Sequence, residues 1–158
     1  MIKELRVGNY VAYKGKPSLV CALDYDPKLR KENISVVYKW GEPPYKTNGD
    51  IQPILLTEKL VLQCGFNQLD DYTFDNDEME ITQDWDDQTV YYITTHANEY
   101  TVSGHRIEYL HQLQNAYFCL SGGKELAYII HSGFISGYQN RYGDNLKPPT
   151  NVYHRMTA

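Results

Sequence analysis

The sequence predicts an α+β domain that combines short antiparallel strands with two helices. Short runs of alternating apolar and polar residues, rich in β-branched and aromatic types, are separated by Gly and Pro, as is typical of antiparallel strands. Two further segments carry helix signals, a capped start at Thr57 and apolar residues three and four apart after His105. A chain of 158 residues can bury a core without disulfides or metals. We therefore expect one domain over residues 1–130, followed by an irregular C-terminal arm over residues 131–158.

The first part of the domain, residues 1–54, predicts a small SH3-like β-barrel or an open meander. Strand patterns occupy residues 5–13, 18–23 and 34–40. Lys14–Pro17 is a cluster of turn residues, and Gly41–Pro44 ends the third strand. Residues 24–33 are polar and contain a proline, so we expect a loop there.

The second part, residues 55–130, opens with the clearest helix start in the chain. Thr57 is the predicted N-cap, and Leu56 and Val61 have the spacing of a hydrophobic staple. Gly65 follows as a C′ glycine, which leaves Phe66 placed to fold back on the helix. These signals predict a helix of about two turns.

An acidic β-hairpin region and a longer amphipathic helix are expected next. Strand candidates occupy residues 72–74, 79–81, 89–95 and 99–102. The longer helix is expected over residues 105–120, because one helical face collects Ile107, Leu110, Leu113, Gln114, Tyr117 and Phe118. Ser121–Gly123 should end this helix, before a strand over residues 126–130.

Charge is distributed unevenly along the chain. Residues 60–105 contain ten Asp or Glu and no Lys or Arg, whereas the segments before and after are mildly basic. The net charge of −5 argues against nucleic acid as a partner. Tyrosine is unusually frequent, with 15 residues against 4 Phe and 2 Trp. Its rigid ring and hydroxyl suit half-buried sheet faces and binding surfaces alike.

No catalytic or cofactor signature is present. The sequence contains no GxSxG, P-loop or GxGxxG pattern, and its five histidines show neither HExxH nor a His/Cys metal spacing. Asp75 and Asp77 fit the first two ligand positions of a calcium loop, but Met79 occupies the third. We therefore expect a non-enzymatic protein with no metal and no cofactor.

The cysteines and the hydropathy pattern predict the compartment. Cys21, Cys64 and Cys119 are an odd number and far apart, so we expect buried free thiols rather than disulfides. No window approaches the ~20 apolar residues of a membrane helix, and the N-terminus lacks the apolar run of a signal peptide. We predict a cytoplasmic protein without a membrane partner.

One candidate binding site lies on the longer helix. Gln114 falls on its apolar face between Leu110 and Tyr117, and is flanked by His111 and Asn115. A buried amide needs partners, because leaving it unpaired costs about 1–3 kcal/mol. Either these three polar groups cap loose backbone ends inside the core, or they line a polar pocket.

The second candidate is the acidic stretch, centred on Asp84, Trp85, Asp86 and Asp87. One interpretation is a solvated acidic face. The other is mimicry of a nucleic-acid backbone, in which the carboxylates occupy a partner's basic groove and Trp85 anchors the contact.

Three segments are informative in combination. The first is Leu5–Val11 (LRVGNYV), the second is Ile54–Leu60 (ILLTEKL) with Cys64–Phe66, and the third is Tyr109–Phe118 (YLHQLQNAYF) with Leu120, Gly122, Glu125 and Leu126. In this order they resemble an uncharacterised family of short proteins from gut Bacteroidetes, their phages and other mobile elements. The family has no assigned activity, cofactor or catalytic residue, so the resemblance implies an origin and no site. It usually ends soon after the position of Leu126, and residues 128–158 depart from that pattern.

We interpret the chain as an interaction or assembly protein of a phage or mobile element, located in the host cytoplasm and contacting a protein partner or a copy of itself. The alternative is an acidic nucleic-acid mimic that inhibits a host nucleic-acid-binding protein. We expect no direct nucleic-acid partner in either case.

Overall fold

The computed structural model describes residues 4–37, 42–47, 49–94 and 105–126. The chain divides into two compact units, with the boundary after Ile54. Each unit contains one antiparallel sheet, and the two helices of the described residues belong to the second unit. This arrangement confirms the predicted α+β class. The predicted strand over residues 99–102, most of the one over residues 126–130, and the arm over residues 131–158 lie outside the described residues.

The first unit is built on a curled sheet. Its strands are β1 (Tyr10–Tyr13), β2 (Lys16–Asp26), β3 (Lys31–Val37), β4 (Tyr45–Thr47) and β5 (Ile51–Gln52). Their order is β4-β3-β2-β1-β5, and the antiparallel strands curl into a half-barrel. The concentration of β-branched and aromatic residues explains these strands. One side of the sheet forms a buried cluster of Val11, Tyr13, Val20, Ile34, Val36 and Ile51.

The hairpin between β2 and β3 is longer than predicted. We expected residues 24–33 to form a loop, but the strands stay paired as far as Asp26 and Lys31. The prediction was wrong because polarity and a proline indicate exposure, whereas pairing is decided by the hydrogen-bond ladder between two strands. Only four residues remain in the loop, and the Asp26 carboxylate accepts hydrogen bonds from the amides of Lys28 and Leu29, at 2.8 and 3.1 Å.

The first helix, α1 (Glu58–Gln63), has both predicted ends. The Thr57 hydroxyl accepts a hydrogen bond from the Leu60 amide at 3.2 Å. At the other end Gly65 has a φ of 85°, and its amide and that of Phe66 donate to carbonyls of the last turn at 3.0 and 3.4 Å. This is a Schellman motif, and it returns Phe66 to the core.

Replacing Gly65 by alanine is expected to destabilise the protein by about 1–2 kcal/mol, the cost of left-handed backbone for a residue with a Cβ. The added methyl group would meet nothing within 4 Å, so a clash contributes nothing. Asparagine tolerates this backbone better, and Gly65→Asn should cost less. Urea unfolding followed by circular dichroism measures both variants, and equal losses would contradict the conformational explanation.

The second unit contains a meander in place of the single hairpin region that we expected. Its strands are β6 (Asn67–Gln68), β7 (Thr73–Asp75), β8 (Glu80–Gln83), β9 (Tyr91–Thr94) and β10 (Arg106–Ile107). Their order is β10-β9-β8-β7-β6, antiparallel throughout. The inward-facing side chains are fully or almost fully buried, and include Phe74, Ile81, Tyr91, Ile93 and Ile107.

The second helix, α2 (Leu110–Leu120), starts later than predicted. We expected it to begin at residue 105, but Arg106 and Ile107 pair with Tyr92 and Tyr91 of β9. Helical spacing alone could not reveal this, because Ile107 is buried in either arrangement and the pairing partner is distant in sequence. The expected end at Ser121–Gly123 is correct. No helix of the described residues has the length and apolar content needed to cross a bilayer.

A glutamine fixes the start of α2. The Gln112 carboxamide oxygen accepts hydrogen bonds from the amides of Glu108 and Tyr109, at 2.9 and 3.1 Å. The Glu108 carbonyl accepts a hydrogen bond from the Leu56 amide at 2.8 Å, which ties the start of α2 to the residue before the N-cap of α1. Gln112 therefore caps the start of α2 from the third position of the helix.

Candidate functional site

Two connections of the second sheet lie at the same end. Successive turns of a meander alternate between the ends of the sheet, so the β6–β7 turn and the β8–β9 loop are neighbours. The Gln83 amide donates to the Tyr72 carbonyl at 2.7 Å and joins them directly. We call residues 69–72 together with residues 84–87 the tryptophan end. It contains all four members of the second predicted site.

Asp84 organises the β8–β9 loop. One of its carboxylate oxygens accepts hydrogen bonds from the amides of Asp86 and Asp87, at 2.8 and 3.3 Å. The other oxygen accepts the Tyr92 hydroxyl at 3.1 Å. The hydrogen bond from the Asp86 amide, followed by that from Tyr92, lowers the pKa of Asp84. The same contact to Asp84 raises the pKa of Tyr92, so the pair favours an ionised aspartate and a neutral tyrosine.

Further hydrogen bonds close the loop behind Asp84. Its amide donates to the Val90 carbonyl at 2.8 Å. The Asp87 carboxylate accepts the hydroxyl and the amide of Thr89, at 2.7 and 3.0 Å, and these bonds lower the pKa of Asp87. The Gln83 carboxamide donates to the Gln88 carbonyl at 2.7 Å. Hydrogen bonds at both ends of the loop and inside it therefore fix its backbone.

The β6–β7 turn uses the same device. The Asp70 carboxylate accepts the amides of Tyr72 and Thr73, at 2.9 and 2.8 Å, and these bonds lower its pKa. Asp and Asn commonly build turns in this way. Three of the acidic residues at the tryptophan end therefore have a local structural function, which their positions beside turn residues could have indicated from sequence.

The remaining side chains of this end project into solvent. Trp85 is 76% exposed, Leu69 55% and Tyr72 45%. The carboxylates of Asp71 and Asp86 make no hydrogen bond within the described part of the chain. An exposed apolar group rimmed by charge is the usual composition of a protein-binding patch.

The first predicted site, on α2, is largely buried rather than exposed. His111 and Gln114 are buried, and Asn115 is half-buried, as the predicted phase of the helix requires for Gln114. The His111 ring stacks on the Tyr109 ring, with centroids 5.9 Å apart. The structure brings these residues together on one side of α2, facing the core beside Leu113 rather than an open surface.

The cysteines differ in exposure, and buried thiols were expected for all three. Cys64 is buried, and burial raises its pKa. Cys21 is half-buried at a β-bulge of β2, where its thiol donates to the Ser35 carbonyl at 3.3 Å. Cys119 is exposed because it lies on the side of α2 away from Gln114. The expectation is therefore correct only for Cys64.

The described residues show no cluster of three or more His, Cys, Asp or Glu side chains that could hold a metal ion. Asp75 and Asp77 lie at the opposite end of the sheet from Trp85, at the β7–β8 turn.

One exposed feature was missed by the sequence analysis. The tip of the β2–β3 hairpin carries Tyr25 and Leu29, which are 61% and 72% exposed. The signal that could have found it is the sequence Asp26-Pro27-Lys28, an aspartate-initiated turn between two strand patterns.

Comparison with known proteins adds no family to these observations, since neither the family models, nor the curated sequences, nor the solved structures match this chain.

Proposed function

We propose that this chain is a non-enzymatic protein-binding module and that the tryptophan end is its contact surface. The observation that carries the proposal is the exposure of Trp85 on a loop whose backbone is fixed by Asp84 and Asp87. The resemblance to proteins of phages and mobile elements bears only on the origin, and it is the reason for placing the proposed contact in the host cytoplasm.

A rigid loop makes an exposed tryptophan effective in binding. Tryptophan and tyrosine are enriched among the residues that dominate interface energies, because each buries a large area with few rotatable bonds. Binding by a loop that is already ordered avoids much of the entropy cost of fixing it. Leu69 and Tyr72 add exposed apolar side chains at the same end of the sheet, on the turn that the Gln83 amide joins to the β8–β9 loop.

The acidic nucleic-acid mimic is the second candidate. It is favoured by the five aspartates of the tryptophan end, which are Asp70, Asp71, Asp84, Asp86 and Asp87. Against it, three of these carboxylates already accept hydrogen bonds from their own turns. Of the five, only Asp71 and Asp86 have carboxylates that accept no hydrogen bond from a turn. Two such charges are few for a surface that imitates a phosphate backbone.

Replacing Trp85 by serine is expected to abolish partner retention while leaving stability almost unchanged, because the side chain is mostly exposed. The measurement is capture from host lysate on immobilised protein, with Leu120→Ser as the matched control. Leu120 is 40% exposed at the end of α2, close to Lys124, which pairs with Glu78 at the opposite end of the sheet. Equal capture by wild type and Trp85→Ser would contradict the proposal.

The double variant Asp71→Asn with Asp86→Asn separates the two candidates. These substitutions remove charge without touching the carboxylates that build the turns. A contact dominated by Trp85 should survive them and change little with salt, since burial of apolar area is not screened. A mimic of nucleic acid should lose its partner in the double variant, and its binding should weaken steeply as salt rises.

A further inference from the structure

Two adjacent tyrosines of β9 hold the β8–β9 loop to the second sheet. Tyr91 and Tyr92 are neighbours in a strand, so their side chains point to opposite faces of the sheet. Tyr91 is fully buried, whereas Tyr92 is half-buried on the outer face. The Tyr91 hydroxyl accepts a hydrogen bond from Gln83, and the Tyr92 hydroxyl donates one to Asp84. The last residue of β8 and the first residue of the loop are therefore held from the two faces of the sheet.

On the buried face the contact runs through Gln83. Its carboxamide nitrogen donates to the Tyr91 hydroxyl at 3.2 Å and to the Gln88 carbonyl at 2.7 Å. Gln83 is almost fully buried and lies opposite Tyr91 in the strand pairing. Because a buried amide is costly to leave unpaired, this contact also belongs to the core packing. It fixes the end of the loop that leads into β9.

On the outer face the contact controls the turn around Trp85. One Asp84 carboxylate oxygen accepts the Tyr92 hydroxyl at 3.1 Å, and the other accepts the amides of Asp86 and Asp87. An aspartate side chain has several allowed rotamers, and the bond from Tyr92 favours the one in which the second oxygen reaches these amides. The two amides belong to the residues that directly follow Trp85. The Tyr92 hydroxyl thus connects the conformation of the turn to a strand of the sheet.

We propose that Tyr92 is a positioning residue of the tryptophan end, and that through Asp84 it holds the loop in the conformation that presents Trp85. This proposal rests on the proposed function and identifies what controls the strength of binding at that surface. Without the hydroxyl, the Asp84 side chain can turn into solvent and the loop samples more conformations. A partner must then order the loop when it binds, and this ordering weakens the complex.

The substitution Tyr92→Phe tests the proposal, because it removes one oxygen atom and keeps the ring. Nitrogen-15 relaxation measures the motion of the Trp85 and Asp86 amides without any partner. Their order parameters should be about 0.85 in the wild type and should fall toward about 0.6 in the variant. The free energy of unfolding in urea should change little, because the side chain is only half-buried.

Two results of this measurement would overturn the proposal. Order parameters that are unchanged in Tyr92→Phe would do so whatever happens to global stability, since a purely structural tyrosine would lower stability without loosening the loop. Low order parameters in the wild type would also overturn it, because the loop would then have no fixed conformation to lose.

The matched control is Tyr45→Phe in the first unit. The Tyr45 hydroxyl also donates to a carboxylate at 3.1 Å, that of Glu42, so the same atom is removed from the same kind of contact. The order parameters of Trp85 and Asp86 should stay at their wild-type values in this variant. A decrease equal to that in Tyr92→Phe would overturn the proposal.

A double variant tests whether Tyr92 acts through Asp84. In an Asp84→Ala background the acceptor is absent, so adding Tyr92→Phe should not loosen the loop further. A further decrease in the Asp86 order parameter would show that Tyr92 acts by another route, and would overturn the proposal.

Dissociation of captured host protein connects loop order to binding. Protein retained from host lysate should wash off immobilised Tyr92→Phe roughly threefold to tenfold faster than off the wild type, as expected for the loss of one hydrogen bond. Retention that requires Trp85 but is equal for wild type and Tyr92→Phe would overturn this proposal alone. Retention that is indifferent to Trp85→Ser would instead refute the proposed function.

Discussion

Phe74→Ala is expected to destabilise the protein by about 3–5 kcal/mol, the cost of emptying a fully buried aromatic position. Phe74 lies on β7 and has no exposed surface. Its ring packs edge-to-face with the buried Tyr91 ring, with centroids 6.2 Å apart, and its strand partner is Ile81. Alanine would leave a cavity between groups that are held by the sheet and cannot close over it.

Urea unfolding followed by far-ultraviolet circular dichroism measures this loss. The matched control is Tyr72→Ala, an aromatic residue at the turn before β7 whose side chain is partly exposed. Its substitution should change the free energy of unfolding by no more than about 0.5 kcal/mol. Similar losses for the two variants would show that Phe74 is not a core residue of the second sheet.

Gln114→Leu is expected to destabilise the protein by about 1–3 kcal/mol, although leucine is more hydrophobic and nearly the same size. Gln114 is fully buried in α2, and a buried amide is kept with its hydrogen-bond partners. Leucine leaves those partners unsatisfied inside the core. The residue is thus expected to specify the packing of α2.

The control for this substitution is Gln68→Leu, the same chemical change at an exposed position on β6. It should be close to neutral, since both groups can be hydrated there. A Gln114→Leu protein that is as stable as wild type, or more so, would show that the amide has no structural function. The interpretation of His111, Gln114 and Asn115 as a polar pocket would then gain support.

Local signals explain which parts of the fold could be predicted. Both ends of α1 follow from Thr57 and Gly65, because an N-cap and a left-handed C′ residue act on neighbours within four positions in the chain. The burial of Gln114 followed from helical periodicity for the same reason. The start of α2 could not be obtained in this way, because β10 exists only through pairing with β9.

The candidate site, like the fold, could be predicted from the sequence only in part. The sequence located Trp85 and its aspartates as a candidate surface, and the composition alone suggested a charged face. Positions beside turn residues could have indicated that Asp84 and Asp87 serve the loop. Which amides they accept, and that the Asp71 and Asp86 carboxylates accept none among the described residues, depends on the hydrogen-bond geometry of the folded turns.

The sequence by itself determined the fold class, the caps of α1, the face of α2 that is buried and the acidic character of the second unit. Each of these depends on residues close together in the chain, where propensity, capping and periodicity act. The tertiary structure decided how far the β2–β3 hairpin extends, where α2 begins, and that the turns around Tyr72 and Trp85 share one end of a sheet. The physical reason is that strand pairing joins residues distant in sequence, so its extent is set by the partner strand and not by the segment itself.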